Sequence, residues 1–331
     1  MSHRVNWPVP LVKEPTLFPA QFGVPGSEGL GGLRTSVEGR VIYVDPNYPG
    51  ATATADGTLP TNPLSTVAAA LARVQPFRGD TIAVMPNNAW QYGNALNGRN
   101  LPIAEEVIVT IPGVRIVGLN TPGANGVLWT PASNGGTCIT VNALDVLIEG
   151  FTFSEGAFTG CNAISAVWDG VAAWGDNLTV RNCMFDDTVD IAIQLEFSWY
   201  CHIYDNLFWD CDTYGIFVDP LGSGAEFLTV YGNIFHDVGT SAMALDGVDN
   251  SHIYNNSLFS ANAQGGAVAT DEGIDLNGEA NQIFDNYFSC LLPAAANGDW
   301  DDYNSSDSAV GDTNAWIGNA CLNGMATTNP T

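Results

Sequence analysis

Acidic and amide side chains recur at one position of four successive segments, where they could support acid–base chemistry. The segments read IAIQLE, GIFVDP, AMALDG and GIDLNG. When their apolar residues are aligned, the position after the last inward residue holds Glu196, Asp219, Asp246 and Asn277. Asp169 in SAVWDG extends this acidic column at its start, and Asp275 lies beside its last member.

Three interpretations of the acidic column remain open. If the segments are stacked parallel strands, carboxylates one strand apart lie about 5 Å from each other, near the spacing of retaining glycosidases. Glu196 paired with Asp219 or with Asp246 could then act as acid and base. Alternatively, Asp219, Asp246 and Asp275 could bind Ca²⁺, which favours carboxylate oxygens. The third interpretation is that these are ordinary turn residues at strand ends.

Aromatic residues close to the acidic column are candidates for contact with sugar rings. They are Trp168, Trp199, Tyr200, Trp209 and Tyr214, with Phe217 nearby. Histidine offers less, because His202 and His252 share one register about 10 Å apart, which is too far for a single metal ion. No other cofactor is predicted.

The elements that must position these residues are indicated by a repeated phrase. YDNLF, YGNIF, YNNSLF and FDNYF occur at 204–208, 231–235, 254–259 and 284–288. Each phrase belongs to a pair formed by an apolar anchor and an aromatic residue five positions later, such as Ile203 with Phe208. Successive anchors are 23–32 residues apart. A period of this length with two-residue alternation predicts a solenoid of stacked β-strands.

In a parallel β-helix, equivalent residues of successive rungs stand above one another at about 4.8 Å. Asparagine side chains can then form a hydrogen-bonded ladder, and their tolerance of left-handed backbone suits a sharp corner. Aromatic side chains can stack inside the same corner. The predicted ladder residues are Asn206, Asn233, Asn256 and Asn286, with Phe185, Phe208, Phe235, Phe259 and Phe288 inside; Ile253 could instead pair with Leu258.

The start of the chain's body has a recognisable order. The strand VIYVD at 41–45 is followed by a turn-rich loop, the helix LSTVAAALARVQ and the strand GDTIAVMP. Asn62 is the predicted N-cap of this helix and Pro63 its first residue. This order resembles the entry to right-handed parallel β-helix proteins of the pectate-lyase-like superfamily. The resemblance implies an all-β fold whose first rung is capped by a helix near 63–75.

The resemblance does not extend to lyase activity. That chemistry needs a basic residue to abstract a proton, and after Arg181 the chain contains no lysine or arginine. If the protein is an enzyme, a glycoside hydrolase fits its residues better than a pectate lyase.

Charge and cysteine content narrow the functional classes further. The chain carries 35 acidic residues against 9 lysines and arginines, a net charge of −26. Such a surface repels nucleic acid, anionic membranes and polyuronates. The seven cysteines show no metal-ligand spacing and predict buried free thiols. Residues 1–22 lack the apolar region of a signal peptide, which predicts that no ordinary secretory signal is present.

The sequence predicts three parts. Residues 1–40 are an extended Pro- and Gly-rich anchoring arm, residues 41–292 form the β-helix, and residues 293–331 form a C-terminal cap or a strand and loop extension. The arm and the acidic, lysine-poor surface favour a structural protein of a virion. Within the superfamily the chain is most similar to phage decoration and tailspike-type members, which implies a homotrimer that contacts other virion proteins through its arm. A glycan depolymerase and a bacterial surface adhesion module are the alternatives.

Overall fold

The repeated phrases form the strands of a parallel β-solenoid. The computed structural model describes residues 39–86, 102–120, 122, 126–167, 175–186, 189–219, 224–259, 272–289, 303–305 and 314–321. Within them the strands, numbered in chain order, assemble into three long sheets, and every pair of hydrogen-bonded strands is parallel. The predicted anchoring arm lies outside the described residues, apart from Gly39 and Arg40.

Sheet 1 has ten strands: β1 (Val41–Val44), β2 (Thr81–Val84), β5 (Arg115–Gly118), β8 (Leu147–Glu149), β11 (Thr179–Arg181), β14 (His202–Tyr204), β18 (Thr229–Tyr231), β22 (His252–Tyr254), β25 (Gln282–Phe284) and β28 (Ala315–Ile317). Sheet 2 has eight strands: β4 (Val107–Val109), β7 (Thr137–Val141), β10 (Asn162–Ala166), β13 (Ile191–Leu195), β16 (Tyr214–Val218), β20 (Ser241–Asp246), β24 (Glu272–Asn277) and β27 (Tyr303–Ser305).

Sheet 3 has nine strands: β3 (Ile103–Ala104), β6 (Val127–Thr130), β9 (Phe151–Phe153), β12 (Met184–Asp186), β15 (Leu207–Trp209), β19 (Ile234–His236), β23 (Ser257–Phe259), β26 (Tyr287–Ser289) and β29 (Ala320–Cys321). A two-stranded pair, β17 (Ala225–Glu226) and β21 (Val248–Asp249), lies between sheets 2 and 1 in chain order. From β8 onward the chain passes through sheet 1, sheet 3 and sheet 2 in turn, so each circuit is one rung.

The interior consists of columns of identical side-chain types, because every strand alternates between inward and outward positions. The sheet 1 anchors, such as Ile203 and Val230, lie opposite one another and are buried. The phenylalanines of sheet 3 stack next to them: the ring centroids of Phe185 and Phe208 are 4.8 Å apart, and those of Phe208 and Phe235 are 4.3 Å apart. This inward stack therefore matches the prediction.

The prediction for one member of the inward stack was wrong. Leu258, and not Phe259, lies opposite Phe235 and is buried. Phe259 lies opposite His236 on the outward side of sheet 3. The corner before β23 has the same length as its neighbours, so strict two-residue alternation places Leu258 in the core.

The asparagines of the repeated phrase form a buried ladder at the corner between sheets 1 and 3. The side-chain Nδ2 of each asparagine donates to Oδ1 of the next at 3.0 Å, through the series Asn206, Asn233, Asn256, Asn286 and Asn319. The same Oδ1 atoms accept backbone N–H groups, and each Nδ2 also donates to a carbonyl of the preceding rung. The ladder thus satisfies polar backbone groups that the corner would otherwise bury unpaired.

The left-handed backbone lies one residue earlier than the sequence indicated. Asp205, Asn255 and Asp285 have φ values of 54–55°, whereas the ladder asparagines do not have positive φ. The two roles are divided because the left-handed residue faces solvent, while the next residue must direct its amide inward. A second, shorter ladder, which the sequence did not lead us to expect, joins Ser251, Asn281 and Asn314 at the corner before sheet 1.

The capping helix exists but begins later than predicted. Helix α1 spans Val67–Leu71, with Thr66 as its N-cap: its hydroxyl accepts from the backbone N–H of Ala69 at 3.1 Å. The carboxylate of Glu105 accepts from the N–H groups of Val67 and Ala68. Asn62 and Pro63 precede the helix in a turn, because these two acceptors from Thr66 and Glu105 fix its first turn instead. Val67 and Leu71 are buried against the first rungs.

The segment after residue 292 contains further strands of the solenoid. Strands β27, β28 and β29 each pair in parallel with the strand of the preceding rung. Asn319 extends the main ladder and Asn314 the second one. The β-helix therefore continues beyond the predicted boundary. The described residues contain no helix with the length and apolar character needed to cross a membrane.

Candidate functional site

The acidic column lies on the outer face of sheet 2, in the predicted register. Leu195 lies opposite Val218, and Val218 lies opposite Leu245. The residue that follows each of them is Glu196, Asp219 or Asp246, and Asn277 lies directly opposite Asp246. All four side chains are partly exposed. Asp169 lies outside the described residues.

A depression of about 210 Å³ opens beside this column. Its lining includes the rings of Tyr214 and Phe217, together with Asp246, Asp275 and Asn277. The two rings stack on each other, with centroids 4.7 Å apart and planes 17° apart. We call this feature the sheet 2 depression.

The sheet 2 depression exists because small residues follow large ones along the sheet. Ser241 lies opposite Tyr214 and Ala244 lies opposite Phe217 in the next rung. Asp275 follows Ala244 one rung further on. The aromatic pair and Asp275 are therefore separated by a rung with little side-chain volume, and two rung spacings of about 4.8 Å leave a gap between them.

The polar wall of the depression is ordered. Asn277 Nδ2 donates to Asp246 Oδ1 at 2.7 Å, which fixes both side chains across neighbouring rungs. The amide oxygen of Asn277 and the carboxylates can accept hydrogen bonds from hydroxyl or ammonium groups. An aromatic wall facing hydrogen-bond acceptors is an arrangement suited to a sugar ring, which has both apolar and hydroxyl-bearing faces.

The calcium interpretation receives no geometric support in this part of the chain. Among the described residues, no three His, Cys, Asp or Glu side chains converge closely enough to hold a metal ion. Asp275 lies opposite Ala244, two positions before the member of the column in its own strand, so it is displaced from Asp219 and Asp246 along the sheet.

The aromatic candidates do not form one surface. Of the residues chosen from the sequence, only Tyr214 and its neighbour Phe217 lie in the depression. Trp209 is on sheet 3, 42% exposed, and its indole stacks on the imidazole of His236 with centroids 4.1 Å apart. Trp199 and Tyr200 lie in the corner before β14, and Trp168 lies outside the described residues.

Tyr200 has an unusual backbone for its size. It is 52% exposed, has φ 58°, and stacks on Phe227, which has φ 55°. Equivalent corner positions in neighbouring rungs hold Asn177 and Asn250, which adopt this conformation more easily. The ring of Phe227 thus covers one face of Tyr200.

An outward aromatic ladder on sheet 1 was not predicted, although the first letter of each repeated phrase encodes it. Tyr204, Tyr231, Tyr254 and Phe284 stack at centroid distances of 4.8–5.1 Å, with planes 4–6° apart. Arg181 begins the ladder, donating to Tyr204 Oη at 2.9 Å and pairing with Glu149 at 2.8 Å. Because the rings cover one another's faces, this ladder is a structural stack and a poor platform for sugars.

The histidines of sheet 1 are dispersed, as their spacing indicated. His202 and His252 lie on either side of Thr229 on the outer face of this sheet. Burial lowers the pKa of His202. Neither histidine lines the sheet 2 depression.

Comparison with known proteins supports the architecture. Residues 123–288, half of the chain, match the sequence profile of the family described as right handed beta helix region. No curated protein matches the chain.

Two solved structures illustrate the likeness in fold. The enzymatically active domain of tailspike protein 2 from bacteriophage CBA120 has a TM-score of 0.51 and 14% identity over 77% of this chain and 36% of its own. The chain thus spans about a third of that protein's length. An alginate lyase from Paenibacillus sp. str. FPU-7 has a TM-score of 0.50 and 16% identity over 86% of this chain and 95% of its own.

At these identities the likeness concerns the fold, and the two proteins differ in what their names say they do. The family match, the parallel strands and the stacked corners agree with the predicted pectate-lyase-like architecture. The chain belongs to the right-handed parallel β-helix family.

Proposed function

We propose that this protein is a structural component of a tailed-phage particle, of the capsid decoration, turret or tailspike type, and that it binds neutral host-surface glycans through the sheet 2 depression. The observation that carries the binding role is the depression itself, which sets the ring pair of Tyr214 and Phe217 against Asp246 and Asn277. The likeness in fold to a phage tailspike protein supports the virion assignment.

The size of the depression fits one unit of a longer glycan. About 210 Å³ is below the range of about 300–1,000 Å³ that encloses a drug-sized ligand. The depression is bounded by rungs on both sides, so the remaining units of a glycan would lie along the outer face of sheet 2. Such a site gives weak binding for each copy, and repetition of the protein on a particle would multiply it.

The proposal assigns the other predicted partners as well. The particle would hold the protein through residues 1–40, and the protein would form a homotrimer. A net charge of −26 is compatible with a virion surface that must stay soluble and avoid nucleic acid.

A binding assay with matched variants tests the glycan role. Tyr214→Ala removes the aromatic wall of the depression, and Trp209→Ala removes an exposed ring on sheet 3 that lies outside it. Binding to a neutral glycan array should fall with Tyr214→Ala and stay unchanged with Trp209→Ala. Equal effects of the two variants would contradict the assignment of the site.

A separate experiment tests the virion role. The full-length chain should co-sediment with purified particles of its phage, whereas a chain that begins at residue 41 should fold and remain free. Absence of the full-length chain from intact particles would refute this part of the proposal.

A glycan depolymerase is the second candidate, favoured by the register of Glu196, Asp219 and Asp246 in adjacent rungs. Backbone spacing of about 4.8 Å brings neighbouring carboxylates near the separation found in retaining glycosidases. If the protein hydrolyses a glycan, Glu196→Gln and Asp219→Asn should each abolish turnover while binding persists. Unchanged turnover in both variants would exclude this mechanism.

A further inference from the structure

We propose that the sheet 2 depression selects an amino sugar whose amine is free and protonated over its N-acetylated and uronate counterparts. This inference rests on the proposed glycan-binding role and names the chemical class of the bound unit. It is carried by the carboxylates and rings that share one small depression, and by the charge of the surrounding chain.

The first argument is the sign of the local charge. Asp246 and Asp275 line the depression, and Asp219 and Glu196 continue the column beside it. No lysine or arginine occurs in residues 182–331, which hold 22 of the 35 acidic residues. Within a Debye length of about 8 Å, no positive side chain from this half of the chain can offset the carboxylates. A uronate would be repelled there, and an ammonium group would be attracted.

The second argument is the aromatic wall. An ammonium group placed against an aromatic ring gains a cation–π contribution, which increases where water is partly excluded. Tyr214 and Phe217 supply such rings, and Ala244 leaves the space next to them open. The hydrophobic face of the sugar can contact the rings while its amine reaches the carboxylates.

The third argument separates an organic cation from a metal ion. Ca²⁺ requires about six to eight oxygen ligands around one point. The described carboxylates do not converge in this way, and Asp246 already accepts a hydrogen bond from Asn277. An ammonium group has three donors and can bind well with one or two carboxylates.

The test compares three tetrasaccharides by isothermal titration calorimetry with the full-length protein: a glucosamine tetramer with free amines, its fully N-acetylated form, and a galacturonate tetramer. The free-amine tetramer should bind most tightly and the galacturonate tetramer most weakly. Asp275→Asn should weaken binding of the free-amine tetramer about fivefold, as expected for one partly exposed charge pair. It should leave binding of the N-acetylated tetramer nearly unchanged.

Asp205→Asn provides the matched control, because it removes the same charge from a corner between sheets 1 and 3, where asparagine also accepts the left-handed backbone. This variant should change binding of the free-amine tetramer less than twofold. An equal loss in both variants would overturn the proposal, since general attraction to an acidic surface would then explain the binding.

The remaining outcomes separate this inference from the function on which it rests. If the free-amine and N-acetylated tetramers bind equally and Tyr214→Ala weakens both, selection of a cation is refuted and glycan binding stands. If no tetramer binds to the protein while it is folded, as judged by its circular dichroism spectrum, both the inference and the glycan-binding role are refuted.

Discussion

Replacing Asn256 by alanine should destabilise the protein strongly, because this buried side chain takes part in four hydrogen bonds. Its Nδ2 donates to Val230 O and to Asn286 Oδ1, both at 3.0 Å. Its Oδ1 accepts the backbone N–H of Asn233 at 3.1 Å and Asn233 Nδ2 at 3.0 Å. At about 1 kcal/mol net for each bond, the free energy of unfolding should fall by about 4 kcal/mol.

The isosteric change Asn256→Asp tests the direction of these bonds. A carboxylate can still accept from Asn233 but cannot donate to Val230 O or Asn286 Oδ1, and it faces their oxygens instead. The loss at pH 7 should therefore be at least as large as that of the alanine variant. Burial raises the pKa of an introduced carboxyl, so the variant is most stable at low pH and loses stability as pH rises through that pKa.

Urea unfolding followed by circular dichroism gives the free energies, with the m-value checked because solenoids can unfold in parts. The neighbouring Asn255 is the control: it is exposed and has φ 54°, so Asn255→Gly should stay within about 0.5 kcal/mol of the wild type. Equal effects of Asn255→Gly and Asn256→Ala, or wild-type stability of Asn256→Asp at pH 7, would refute the ladder argument.

Three further predictions concern other parts of the fold. Burial raises the pKa of Glu105, so its contribution is fully present below the unfolded pKa and is lost as pH rises; the difference in Tm between wild type and Glu105→Gln should shift against the wild type from pH 4 to pH 7. In the outward ladder, Tyr231→Ala should lower the free energy of unfolding by about 1–2 kcal/mol and Tyr231→Phe by less than about 0.5 kcal/mol, because only the former breaks the ring stack; equal losses would show that the hydroxyl matters instead. Burial raises the pKa of Cys183 and Cys201 to about 12, so these thiols should react with a disulfide reagent only after unfolding, and rapid labelling of the native protein would contradict their placement.

Much of the fold follows from the sequence, because a stacked strand repeats its chemistry at each rung. The alternation around Ile203 and Val230, together with the recurring asparagine, is sufficient to predict the register of sheets 1 and 3. The same alignment places Glu196, Asp219 and Asp246 in one column.

The errors arose at the first turn of the helix and at one strand of sheet 3. The helix begins at Val67 because Glu105, 38 residues later, accepts from its N–H, and a contact so distant in sequence leaves no local signal. Phe259 was assigned to the core for its aromatic character, although alternation within its own strand places Leu258 there.

The sheet 2 depression is harder to foresee than the column beside it. It depends on what is missing next to Tyr214 and Phe217, namely side-chain volume at Ser241 and Ala244. A search for reactive residues passes over such small neighbours. Aligning the strands by side-chain volume as well as by charge would reveal the gap.

The asparagine ladder also gives the solenoid an electrical polarity. Every amide N–H from Asn206 to Asn286 points toward the next rung, so the side-chain dipoles add head to tail in the manner of the peptide dipoles of an α-helix. The second ladder points the same way. The positive end of both arrays is directed at the C-terminal rungs, and residues 182–331 carry 22 acidic residues and no lysine or arginine. The corners that hold the rungs together therefore also offset part of the repulsion within the acidic half of the molecule.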